Sequence, residues 1–112
     1  MTEGKEQFSK VAQKADIPEG QVKVFQVDGE EIALCNVSGS FFAVADLCSH
    51  DDGPLGEGEL IEYQIECPRH GARFDVRTGK ALCLPAVTAI PTYEVEVRGE
   101  EVWVKAVART RA

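Results

Sequence analysis

Cationic side chains are scarce in this 112-residue chain: 12 Lys and Arg stand against 19 Asp and Glu, a formal net charge of −7. Nucleic acid and anionic membrane surfaces are therefore poor partners, and a basic protein surface is the favoured one. The opening stretch, Met1 to Gly20, has no apolar segment fit to serve as an export signal or a membrane anchor, so the expectation is a cytoplasmic protein. There is no internal repeat, low-complexity run or linker, and 1–112 reads as one domain with a modest core. Neither a nucleophile paired with a base nor a phosphate-cradling loop is visible, so nothing marks the chain as an enzyme. Histidine is rarer still, with two residues, and both fall beside a cysteine.

Cys48-Ser49-His50 and Cys67-Pro68-Arg69-His70 each offer one thiolate and one imidazole, and sixteen residues separate His50 from Cys67. Thiolates hold iron-sulfur clusters and neutral imidazole suits iron, so two such tight loops can close over one small inorganic group. The pattern C-x-H-(x16)-C-x-x-H resembles the Rieske type of [2Fe-2S] site, in which two His replace two Cys on one iron. Exchanging two thiolates for neutral ligands removes two negative charges and eases reduction, which places Rieske potentials at about −150 to +300 mV against about −400 mV for plant-type ferredoxins. A structural zinc site would use the same donor set. Against it, common zinc fingers keep their Cys pair and His pair in separate arms, whereas both arms here are mixed.

Most of the chain is similar to the soluble Rieske ferredoxins of bacterial ring-hydroxylating dioxygenase systems. Besides the ligand motif, Gly71, Phe74-Asp75, Thr78-Gly79 and Pro85 carry the resemblance. It implies a cofactor-binding and metal-binding set of Cys48, His50, Cys67 and His70, with Leu84-Pro85-Ala86 as a third wall over the cluster. It also implies that the two His present their outer ring nitrogens at a tip where electrons leave. The implied role is a one-electron carrier between a flavoprotein reductase and a terminal non-haem iron oxygenase. Two alternatives are a Rieske-like small subunit of another reductase, such as nitrite reductase, and a zinc-binding interaction module.

Departures from the respiratory branch of the family are informative. Its extra Cys pair is replaced by Gly53 and Arg69, so no bridge can form there. Its Ser and Tyr, whose hydroxyls bond the cluster sulfurs, are replaced by Ala72 and Phe74. Such bonds favour the reduced, more negative cluster, so their loss implies a potential low in the Rieske range, and Asp51 and Asp52 push the same way. Asp51-Asp52 otherwise reads as a solvated loop, and Cys35 and Cys83 as small buried hydrophobes with no ligand role.

Apolar residues alternate with polar ones over short runs punctuated by turn residues, which predicts an all-β chain of antiparallel strands. The expected strands are Phe8 to Gln13, Val22 to Val27, Ile32 to Val37 and Phe41 to Ala45, with hairpin turns at Asp28-Gly29 and Ser38-Gly39-Ser40. Tyr93 to Arg98 and Val102 to Lys105 form a terminal hairpin around Gly99-Glu100. Between the hairpins, about 47–84, an inserted cluster-binding subdomain interrupts a β-sandwich or barrel, with strands over Glu62 to Glu66 and Arg73 to Val76.

Overall fold

Asp28 and Gly29 have φ of 51° and 84°, and Ser38 and Gly39 have φ of 52° and 95°. Positive φ at both central residues is what a two-residue type I′ hairpin requires, and Asp, Ser and Gly tolerate it. These turns fold β2 (Val22–Val27), β3 (Glu30–Val37) and β4 (Ser40–Ala45) into a meander with six paired positions at each seam. A computed structural model describes residues 8–46, 55–56, 58–68, 71–83 and 88–105.

The meander gains β9 (Thr92–Tyr93) beside β4 and becomes a four-stranded sheet. A second sheet is built from the two ends of the described chain. There β1 (Phe8–Gln13) pairs with β11 (Glu101–Lys105), which pairs with β10 (Val95–Arg98). The third sheet is small: β5 (Glu59–Ile61), β6 (Gln64–Glu66), β7 (Arg73–Asp75) and β8 (Ala81–Cys83), side by side in chain order. Every strand pairing is antiparallel, and one 3-10 turn, Lys14–Asp16, is the helical element among the described residues. Among them no helix is long and apolar enough to cross a membrane.

Residues 32–37 of β3 are buried without a break, which alternation toward a single core cannot explain. The two faces of the strand serve two cores. Ala33, Cys35 and Val37, with Val44 of β4, pack against Leu55, Ile65, Cys67, Ala72, Phe74, Val76 and Ile90 of the small-sheet region. Ile32 and Leu34, with Phe41, Ala43, Ala45 and Tyr93, pack against Ala12, Val102 and Val104 of the terminal sheet and against Ile17, just past the 3-10 turn. The meander is thus the middle of three layers, a base that holds the small sheet on one face.

The all-β expectation holds, and the base strands fall where alternation put them, to within two residues. Two details differ. Glu62–Glu66 is not one strand, because Glu62 takes φ of 56° and Glu62-Tyr63 turns the chain between β5 and β6, which lets Leu60 and Ile65 face each other. Tyr93 does not share a strand with Val95. Tyr93 pairs with Ala43 and is buried, whereas β10 crosses to the other sheet, where the Lys105 amide donates to the Glu94 carbonyl (3.0 Å). The run that reads as one strand is a corner between two sheets.

Candidate metal centre

Glu59, Glu66, Arg73 and Cys83 pair in succession across β5, β6, β7 and β8, forming a single row at one end of the small sheet. The chain consequently reaches or leaves this end four times, at residues 58, 67, 72 and 83. Cys67 stands at the second of these points. Its side chain is 1% exposed, with Leu55, Ala72 and Phe74 in the same apolar core. Its amide donates to the Ala72 carbonyl (2.7 Å) and its carbonyl accepts from the Gly71 amide (3.1 Å), which closes the 67–72 turn on itself. Gly71 takes φ of 80°, a left-handed conformation that glycine adopts without strain.

The described residues on either side of the first Cys-His pair are bonded to one another. Asp46, at the end of β4, donates its own amide to the Glu31 carbonyl of β3 (3.0 Å). Its Oδ1 accepts from the amides of Leu55 (2.8 Å) and Gly56 (2.6 Å), which brings residue 46 and residues 55–56 together. Leu55 is fully buried, and its carbonyl accepts from the Gly58 amide (2.9 Å). A β-carbon on Gly58 would collide with the Glu66 carbonyl, so close approach of backbones requires glycine there, whereas one on Gly56 would meet the Val24 side chain of β2. Glu66 also lies 3.9 Å from the Arg73 guanidinium, a half-exposed pair of small energetic weight.

Of the four predicted ligands, Cys67 is described. Cys48, His50 and His70 lie outside the described residues, as do Asp51, Asp52, Gly53, Arg69 and Leu84-Pro85-Ala86. Among the described residues no three His, Cys, Asp or Glu gather to hold a metal ion, as expected when one ligand of four is among them. Ala72 and Phe74 are both completely buried and bring no hydroxyl to this end of the sheet. Cys35 is free, fully buried in β3, and burial pushes its thiol up to about 12, so it is the inert small hydrophobe expected. The Cys83 backbone pairs with Arg73. Asp46 was not anticipated, although an Asp at a strand end opening a loop is a turn residue whose carboxylate commonly captures nearby amides.

Two thiolates and two imidazoles are the right donors for a Rieske cluster, and Cys67 sits where the chain repeatedly reaches one end of the small sheet. The residues present therefore fit the group. Residues 7–94 match the model of the Rieske [2Fe-2S] domain. The chain belongs to the Rieske [2Fe-2S] family. It is 47% identical over 90 residues to the ferredoxin component of the naphthalene 1,2-dioxygenase/salicylate 5-hydroxylase systems of a Ralstonia species, covering 80% of this chain and 86% of that one. The solved ferredoxin of carbazole 1,9a-dioxygenase from Nocardioides aromaticivorans IC177 superposes with a TM-score of 0.84 at 37% identity, covering 87% of this chain and 95% of that one. A chain in the complex of reduced oxygenase and oxidized ferredoxin in carbazole 1,9a-dioxygenase superposes at 0.88 with 32% identity, covering 94% and 98%. This Rieske chain carries a [2Fe-2S] cluster and is an electron carrier, and the relatives are named as ferredoxin components of dioxygenase systems. The zinc alternative falls with that membership.

Proposed function

We propose that Cys48, His50, Cys67 and His70 hold the [2Fe-2S] cluster, and that the chain passes single electrons from a flavoprotein reductase to a terminal non-haem iron oxygenase acting on aromatic rings. The observation that carries this reading is the position of Cys67, buried beside the end of the small sheet that residues 58, 67, 72 and 83 all border. The order of the ligands along the chain and the names of the ferredoxin relatives support it. The bound cluster supplies the one-electron chemistry. The chain's own part is to present two thiolates and two imidazoles from two tied loops and to back them with the apolar wall of Leu55, Ala72 and Phe74, which keeps water from that side. A surplus of carboxylates suits partners with basic docking faces, and a free buried Cys35 suits a reducing compartment, which we take to be the cytoplasm. No membrane and no nucleic acid is part of the proposed circuit.

Anaerobic redox titration followed by electron paramagnetic resonance tests the reading. The expected result is a rhombic Rieske signal with a potential near the low end of the family's range, about −150 mV, lost in Cys67→Ser and in His70→Ala. A potential well above zero would overturn the oxygenase-ferredoxin role, and a signal that survives either substitution would overturn the ligand set.

A further inference from the structure

Asp46 lies at the junction of three parts of the molecule. Its amide is bonded to β3, its chain position ends β4, and its Oδ1 holds both Leu55 and Gly56 on the far side of the first ligand segment. Eight residues, 47–54, separate this carboxylate from the two amides it holds, with Cys48 two positions and His50 four positions beyond Asp46. The far anchor is fixed independently. Leu55 is fully buried among the apolar residues that also pack Cys67, and Gly56 lies against Val24 of β2. One side chain therefore sets the distance between residue 46 and residues 55–56, the two ends that border the first ligand pair, and refers both to the same core that seats Cys67.

We infer that Asp46 is a positioning residue for electron transfer, a clamp that fixes the Cys48-His50 arm relative to the Cys67-His70 arm. This rests on the ligand assignment above. A cluster held by two arms keeps its ligand geometry only if the arms keep their separation, and groups that orient metal ligands govern affinity and potential without touching the metal. An ionised carboxylate is suited to the task because amide donors bond more strongly to charged than to neutral acceptors.

The test compares purified holoprotein of the wild type, Asp46→Asn and Asp46→Ala, with Asp46→Ser in place of the alanine variant should that one not fold. Three properties are read: the rate of iron loss to a chelator, the g-values of the reduced cluster, and the unfolding midpoint of the apoprotein. Removal of the acceptor is expected to speed iron loss roughly tenfold or more, as loss of two charge-assisted bonds implies, and to shift the g-values while lowering the apoprotein midpoint by a smaller amount. Asp46→Asn, which keeps a carbonyl acceptor at Oδ1, is expected to restore most of both. Alanine and wild-type holoproteins alike in iron loss and g-values would overturn the clamp, and so would equal damage in the asparagine and alanine variants. A parallel fall in apoprotein stability matching the cluster effect would reduce Asp46 to a general fold residue and also overturn it. A wild type without a Rieske signal would instead overturn the ligand reading, so the two failures are distinguishable.

Discussion

The base meander and the small sheet are made of the same kind of residue but are held together differently. In the base, β2, β3 and β4 pair at six positions along each seam, and β3 is buried on both faces. Its one fully interior polar side chain, Asn36, is satisfied, donating to the Ile17 carbonyl (2.6 Å) and accepting from the Gly39 amide (2.8 Å). In the small sheet, strands of three residues pair at two or three positions, too few to stand alone. That region relies on the apolar contact of Leu55, Ile65, Phe74 and Val76 with the base, on the self-closed 67–72 turn, and on a patch where Tyr63 meets Phe42 edge-on at 5.8 Å beneath the Arg77 guanidinium. A metal group and the segment that binds it commonly order together. The comparison therefore teaches that the base adds long continuous pairing to its packing, whereas the small sheet, with short pairings, leans chiefly on its packing against the base.

The largest expected effect that could break this contrast is Phe74→Ala. Phe74 is fully buried between the small sheet and the base, and its truncation should destabilise by about 3–5 kcal/mol. Hydrogen exchange should show the amides of residues 58–83 losing protection and the cluster being lost, while β2, β3 and β4 keep theirs. Uniform loss across both regions would show that the two form one cooperative unit.

A smaller effect sharpens the contrast at the metal centre. Introducing hydroxyls by Ala72→Ser and Phe74→Tyr should favour the reduced cluster. A bond that favours it by about 1 kcal/mol raises a one-electron potential by roughly 40 mV. The base should be untouched, with an unchanged denaturant midpoint in β2–β4. An unchanged potential in the double variant would refute the view that missing donors keep it low.

In pH dependence the two regions part in opposite directions. Asp75, in the small sheet, bonds the Arg77 guanidinium at 3.0 and 2.9 Å, which holds its carboxyl below the usual range. A lowered folded value means stability present at neutral pH and lost as pH falls through that value. Cys35, in the base, is raised from 9.0 to about 12 by burial, so its contribution is intact below pH 9 and fades as the pH rises toward 12. Acid should therefore loosen the small sheet first, an effect that Asp75→Asn flattens, and alkali should weaken the base, an effect that Cys35→Ala flattens. Thiol labelling of Cys35 at neutral pH should occur only on unfolding.

Local pattern sufficed wherever a segment's neighbours in space are also its neighbours in sequence. The turns at Asp28-Gly29 and Ser38-Gly39, the meander they create and the terminal hairpin at Gly99 are of this kind, because turn chemistry and period-two alternation act over a few residues. The proposed ligand motif is legible for a related reason: donor type and spacing are properties of the chain itself, so Cys48, His50, Cys67 and His70 stand out in the sequence alone. The turn at Glu62-Tyr63 escaped because neither residue is a usual hairpin former. Its conformation is imposed by pairing Leu60 with Ile65 over the base.

Composition and spacing by themselves thus determined an all-β chain, an acidic balance of charge and a mixed Cys-His donor pattern of Rieske spacing. Tertiary structure alone decided that β3 serves two cores, that Tyr93 and Val95 belong to different sheets, that glycine is required at position 58, and that Asp46 holds the amides of Leu55 and Gly56. Each of these is a contact between residues distant along the chain or a matter of which face is covered. Such facts depend on how whole layers stack, and no short stretch of residues encodes them.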